Sequence, residues 1–273
     1  MEGLNINSTS QDQSYDYNNI TSNYFEPNVI HVVTYIVVAV GLPLTLVAIY
    51  ALYSMVRSDH VAPIYLINLL ISDLIQFCYM IVEVAPNVDW NIKIILFIYI
   101  SALIASVYFM VCISLERYLV IAHPLWYRFR RTIKTSVVVC VLVWVLSAVC
   151  AVCVYFTDDT YILFTALLFL LPFPLLIFFL VGTLKALSAT ISVPSDEKRR
   201  IVGILVLVLL IYTLLFLPSI IWFLKEYTDG LVDFRLILLS LTFLRFSPLA
   251  DLFLYVFMRK GFIDKLLASP YEK

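Results

Sequence analysis

Charge is scarce in this sequence, and where it interrupts the long apolar runs the available chemistry is limited. Glu116-Arg117 closes the run that ends SLERYLVIAHPL, Ser114 to Leu125. A carboxylate beside a guanidinium makes a reversible ion pair. Asp73 and Asp251 stand inside two other runs. An isolated carboxylate at the centre of a membrane helix costs about 2.5–3.5 kcal/mol on insertion scales, so such groups face the interior. Two of them close together hold a cation or share a proton, because each negative charge disfavours the other. Glu83 and Arg245 are a third pair. An Arg in apolar surroundings requires an acid or a ligand anion. Glu83–Arg245 therefore reads either as a structural ion pair or as a polar anchor for a ligand. None of these groups makes or breaks covalent bonds. The sequence holds no His-Glu-x-x-His, no Gly-x-Gly-x-x-Gly, no Walker loop and no evident nucleophile–base pair, so no enzyme is expected.

The elements that must position these residues follow from composition. The chain is 63% hydrophobic and 14% charged, against roughly 25% charged in a soluble domain. Seven segments are long enough to cross about 30 Å of hydrocarbon. They are Val29–Val56, Val61–Val84, Ile92–Tyr118, Lys134–Tyr155, Tyr161–Leu187, Arg199–Leu224 and Phe234–Met258. Lipid cannot satisfy open backbone groups, so these segments are helices. The expected fold is an all-α, polytopic seven-transmembrane helix bundle with a short amphipathic eighth helix. Residues 1–28 form a polar tail, 29–258 the bundle, and 259–273 the amphipathic helix and tail. In that last segment Phe262, Ile263, Leu266 and Leu267 oppose Arg259, Lys260, Asp264 and Lys265, a pattern that lies along a lipid surface.

Lys and Arg concentrate at one end of the bundle. Arg57, Arg128, Arg130, Arg131, Lys134, Lys185, Lys198, Arg199, Arg200, Arg259, Lys260 and Lys265 fall there. The opposite end carries Asp89, Asp158, Asp159, Glu226 and Asp229 beside Lys93, Lys225 and Arg235. The basic end is expected to be cytoplasmic, which puts the N-terminus outside the cell. Two sequons in the polar tail, at Asn7 and Asn19, agree as candidate glycosylation sites. The tail has no basic n-region or apolar h-region and is not read as a signal peptide. A net charge of −1 gives no electrostatic case for nucleic acid. The five cysteines, Cys78, Cys112, Cys140, Cys150 and Cys153, sit in apolar runs and read as small buried hydrophobes, with no metal expected beyond a sodium ion.

Glu116-Arg117-Tyr118 followed by His123-Pro124-Leu125, Asn68-Leu69-Leu70-Ile71-Ser72-Asp73, Trp144, Phe169-Leu170-Leu171-Pro172, Phe216-Leu217-Pro218 and Asp251-Leu252-Phe253-Leu254-Tyr255 occur in order along the seven spans. This arrangement resembles a rhodopsin-like (class A) G-protein-coupled receptor. The flavour of VGLPLTLVAIY, ERYLVIAHPLWYRFRR and VPSDEKRRIVGIL is nearest to the branch of nucleotide, proton-sensing and Mas-related receptors. Several positions depart from the family pattern. Thr45 stands for the first-helix Asn, Leu180 for the fifth-helix Tyr and Leu252 for the seventh-helix Pro. Ile92-Lys93 stands where the third helix begins with a Cys, so the resemblance implies that the outer disulfide is missing.

The resemblance implies roles. Glu116 holds Arg117 at rest, and Arg117, Tyr118, Pro124 and Tyr255 belong to the G-protein coupling and switch machinery. Lys198, Arg199 and Arg200 stand where the sixth helix could offer an acid, so no Arg117 lock to that helix is expected. Pro218 is the pivot, with Tyr212 and Phe216 as switch aromatics. Pro172, Pro174 and Pro248 also lie inside spans, where proline removes a hydrogen bond and kinks the helix. Asp73, Ser106 and Asp251 line a sodium or proton site, with a possible sodium ion at Asp73. Glu83, Tyr99, Leu103, Phe164, Ser219, Trp222, Phe223, Ile237, Leu241 and Arg245 surround the ligand. Tyr99 replaces the Asp of amine receptors, which points to a lipid-like or other amphipathic small molecule. The implied protein is a multi-pass plasma-membrane receptor whose partners are an extracellular ligand, a heterotrimeric G protein and membrane lipids. A proton-sensing or peptide receptor, a non-signalling receptor-fold scaffold and a transporter or channel remain open alternatives.

Overall fold

Apolar residues on all sides of a helix bury its backbone bonds but leave no face for water, so such helices pack with one another and with lipid. The computed structural model describes residues 16–57, 64–85, 92–125, 127, 133–156, 161–189, 195–229 and 234–258. Among them there is no strand, and the helices with described bounds are α1 (Asp16–Arg57), α2 (Ile64–Val84), α3 (Ile92–Ala122), α4 (Ile133–Phe156), α5 (Tyr161–Leu170), α6 (Pro172–Ala189), α7 (Ser195–Asp229), α8 (Phe234–Arg245) and α9 (Ser247–Met258). They supply seven stretches long and apolar enough to cross a membrane. The fifth span is α5 with α6, and the seventh is α8 with α9. The amphipathic segment 259–273 and Asn7 lie outside the described residues. Asn19 falls within α1, which begins at Asp16 rather than at Val29.

The breaks have identifiable causes. Pro172 has no N–H for the carbonyl four residues back, and the fifth span turns at Leu171. Pro172 and Pro174 then stand in the first turn of α6, where missing donors cost little. The seventh span turns at Phe246, two residues before Pro248. The third span runs through Tyr118 to Ala122 and stops ahead of Pro124, since a residue before proline avoids the helical region. Glu116-Arg117-Tyr118 is thus inside a helix, not at its end.

The third span is the axis of the bundle. Of its most apolar window 61% is buried, against 17% for the fourth span, which lies at the periphery. Trp144 ties that outer helix in: its Nε1 donates to Asn68 Oδ1 at 3.1 Å, and its ring meets Phe109 edge-on at 5.8 Å. Two glycines set close approaches. A Cβ on Gly41 would lie 2.5 Å from the Phe77 ring, and one on Gly182 would lie 2.7 Å from the Tyr118 ring. Gly41 therefore lets the first and second spans meet, and Gly182 seats Tyr118 against the fifth. All five cysteines are free.

Candidate functional site

Polar groups inside the bundle gather at three levels. At the acidic end, Arg245 at the close of α8 donates to Glu83 of α2 at 2.8 Å and to the Thr34 hydroxyl of α1. Thr34 in turn donates to the Ile30 carbonyl at 2.8 Å. Tyr79, four residues before Glu83, stacks on Tyr99 of α3 with ring centroids 4.2 Å apart. Both phenols lie within electrostatic reach of Glu83 and Arg245. Four helices thus converge on one guanidinium. The Arg245 side chain is 8% exposed and that of Glu83 is 33% exposed, so the acid faces the open side.

The remaining residues expected around a ligand do not all join this cluster. Leu103 is buried in the main core. Ser219 is buried and bonded to Ser240 at 2.8 Å, closing the sixth span on the seventh. Trp222 stacks on Phe223 at 4.5 Å, and its Nε1 is buried without a partner. Ile237 and Leu241 are half-buried along α8. Phe164 lines a crevice that, among the described residues, is formed by the fifth span, together with Leu167, Leu168, Leu170, Leu171 and Pro174. Leu167 and Leu171 are more than half exposed there, so this surface faces away from the bundle. An aromatic at the start of the fifth span has no signal in the sequence to tell inward from outward.

At mid-height Asp73 and Asp251 are fully buried and lie within electrostatic reach of each other. Neither carboxylate bonds to any other side chain or backbone group, and the side chains of Thr45, Gln76 and Ser247 have no hydrogen-bond partner among the described residues. Gln76 is one turn from Asp73, and Ser247 one turn from Asp251. Ser106 is buried but donates to its own Leu103 carbonyl at 2.8 Å, which leaves its oxygen as an acceptor. Buried polar atoms are almost always satisfied by protein, water or ion. Hard carboxylate and hydroxyl oxygens fit a small cation, and the residues present fit a sodium ion.

On the acidic side of this level sits an aromatic stack. Tyr212 and Phe216 are one turn apart with centroids at 5.0 Å, and Phe169 lies 5.5 Å from Phe216. The Tyr212 hydroxyl donates to the Phe169 carbonyl, beside the proline break of the fifth span. Pro218 stands inside α7 just beyond. The hydroxyl joins the sixth span to the fifth where the fifth is weakest. Tyr212→Phe keeps the rings and removes this bond. It is expected to lower stability by about 1 kcal/mol, read as a fall in melting temperature in detergent; an unchanged melting temperature would show that the bond contributes nothing.

At the basic end Glu116 is buried and accepts a hydrogen bond from the Tyr127 hydroxyl at 2.8 Å. The expected Glu116–Arg117 ion pair is not formed: among the described residues Arg117 has no hydrogen bond or ion pair, and its Nε is buried and unpaired. Neighbours on a helix point in directions about 100° apart, and Tyr127 reaches back to take the carboxylate that Arg117 faces away from. Tyr118 packs on His123, Phe178 and Phe179, with centroids within 6.2 Å. Pro124 is exposed and Tyr255 half-buried. On the sixth span Lys198 donates to the Leu187 carbonyl at 3.2 Å, and Arg200 donates to the Met258 carbonyl.

The family profile described as 7 transmembrane receptor (rhodopsin family) matches residues 44–162. That region holds Asp73, Glu83, Tyr99, Glu116-Arg117-Tyr118 and Trp144. Over that segment the chain is similar to the rhodopsin-like family of seven-transmembrane receptors. It is 33% identical to the human G-protein coupled receptor 42 and 32% identical to the human Free fatty acid receptor 3, in each case over 154 residues, 53% of this chain. The chain spans 42% of the length of each of these two relatives. Against the rat Proteinase-activated receptor 2 the match is 24% over 276 residues, covering 86% of this chain and 69% of the relative. The seven long apolar helices among the described residues suit a multi-pass membrane protein. Sequence reasoning missed Thr34, Tyr79, Gln76, Ser247 and Tyr127. Helical spacing from Asp73, Glu83 and Asp251 points to Gln76, Tyr79 and Ser247; Thr34 and Tyr127 carry no such signal.

Proposed function

We propose that the receptor converts binding of an extracellular amphipathic ligand into activation of a heterotrimeric G protein. The observation that carries this reading is Arg117, half-buried near the basic end of the bundle axis and without a hydrogen bond or ion pair among the described residues. The concentration of Lys and Arg at that end supports a cytoplasmic assignment, and the two sequons support an extracellular N-terminus. The ligand site is the Arg245–Glu83–Thr34 cluster with the Tyr79–Tyr99 stack. A guanidinium backed by aromatic rings suits a small carboxylate with an apolar body, which would take the place of Glu83 on Arg245. A similar human protein, Free fatty acid receptor 3, is by its name a receptor for carboxylated amphiphiles, which supports that ligand class. Asp73 and Asp251, with oxygens from Ser106, Thr45, Gln76 and Ser247, hold a sodium ion on the basic side of the switch aromatics.

The test is nucleotide exchange on a panel of purified heterotrimers by the receptor in lipid nanodiscs. A series of linear carboxylic acids is compared with the matching methyl esters. The expected result is exchange above empty discs for at least one Gα class, raised by an acid and not by its ester, with the acid response lost in Arg245→Gln. Exchange equal to empty discs for every Gα class refutes the coupling. Equal responses to acid and ester refute the ligand class.

A further inference from the structure

The sixth span begins with three cations, Lys198, Arg199 and Arg200, in the first turns of α7, where the helix dipole disfavours positive charge. Asp196 and Glu197 just before them suit that dipole, and two of the cations find acceptors on the neighbouring helices. Spans in this bundle alternate in direction, so the start of α7 lies beside the C-terminal ends of α6 and α9. The last carbonyls of a helix have no partner within it and carry the negative end of its dipole. Lys198 Nζ reaches the Leu187 carbonyl near the end of α6 at 3.2 Å. Arg200 Nη2 reaches the carbonyl of Met258, the end of α9. Ile201 packs on Ile121 and Leu187 directly beneath. Asp196 and Glu197 precede these cations in α7, and Arg117 makes no ion pair among the described residues.

We infer that Arg200 is a positioning residue for the sixth span: its bond to the Met258 carbonyl, seconded by Lys198 on Leu187, clamps the basic end of that span to the seventh and fifth in the closed state. The restraint that an arginine–acid pair across the third and sixth spans would supply is replaced by cations on helix-terminal carbonyls. Outward movement of the sixth span then breaks charge-assisted bonds to backbone, which no side-chain substitution on the acceptor helices removes. A guanidinium serves this better than an ammonium, because its fixed fork holds one donor on the carbonyl while others face elsewhere. Movement as such rests on the proposed signalling role; the clamp itself does not.

The experiment therefore has two readouts. Fluorophores are placed by unnatural amino acids at Arg199 and Lys134, both exposed at the basic end, and their distance distribution is measured in nanodiscs. Nucleotide exchange without ligand is measured on the same samples. Arg200→Met is expected to shift the open-to-closed ratio about tenfold toward the longer distance, the effect of losing one charge-assisted bond, and to raise basal exchange. Arg200→Lys, which keeps a donor without the fork, is expected to fall between. Lys198→Met is the second variant and is expected to shift the same ratio in the same direction. A distance distribution in Arg200→Met and Lys198→Met identical to wild type overturns the clamp, whatever exchange does. A shifted distribution with no exchange by any variant upholds the clamp and removes the G-protein reading.

Discussion

Glu83→Ala is expected to destabilise the receptor more than Arg245→Met does, and the double variant is expected to recover most of the loss. The asymmetry follows from exposure. Arg245 is nearly enclosed by the first, second and seventh spans, while a third of the Glu83 side chain is open. Removing Arg245 leaves an acid that water reaches. Removing Glu83 leaves a guanidinium held only by Thr34, in a bundle where an uncompensated charge is costly. The loss for Glu83→Ala is about 3 kcal/mol, the lower end of what breaking a buried pair costs. Replacing both partners removes the problem along with the bond. The measurement is a set of melting temperatures for the four members of the cycle in one detergent. Additive losses would mean that the two groups stabilise the fold independently. The proposed ligand chemistry adds a corollary: a carboxylic amphiphile fills the vacated acid position, so it should raise the melting temperature of Glu83→Ala more than that of wild type.

Replacing sodium chloride by N-methylglucamine chloride at equal ionic strength is expected to lower the melting temperature of the wild type and leave Asp73→Asn unchanged. Asp73 and Asp251 are fully buried and their oxygens bond to no other side chain or backbone group, leaving only each other close enough to share a proton. Two neighbouring anions in that state require a counterion or a proton. A ligand that binds only the folded state stabilises it by about 1.4 kcal/mol at ten times its dissociation constant. Asp73→Asn removes one of the two charges and with it the main attraction for the ion. Asp251→Asn is expected to weaken the response rather than abolish it, because Asp73 remains. Equal melting in both salts for the wild type would contradict sodium and leave a shared proton as the counterion.

Much of this architecture is written locally in the chain. Seven apolar runs, two prolines at the breaks of the fifth and seventh spans and one inside the sixth are enough to lay out the bundle, because in lipid the backbone has few other ways to satisfy itself. The Tyr212–Phe216 spacing is likewise legible as a turn, whereas the Asn68–Trp144 bond emerges only in the structure. What the sequence conceals is direction around a helix that is apolar on every side. Phe164 reads as pocket and sits on the outer face. Glu116 reads as the partner of Arg117 and is taken by Tyr127, eleven residues on, through a turn whose path the sequence does not specify. Arg245 plainly needs an acid, and Glu83 could be named as that acid; its second partner, Thr34, comes from a helix at the far end of the chain and has no pattern to announce it.

The most direct test of the whole account is nucleotide exchange by the receptor and its Arg117→Ala variant in the same nanodiscs, with melting temperature measured alongside. The wild type should accelerate exchange on at least one Gα class. Arg117→Ala should return it to the rate of empty discs with its melting temperature within about 1 kcal/mol of wild type, as befits a side chain without a bonded partner. Undiminished exchange by a folded Arg117→Ala would contradict the assignment of that guanidinium as the contact that signals.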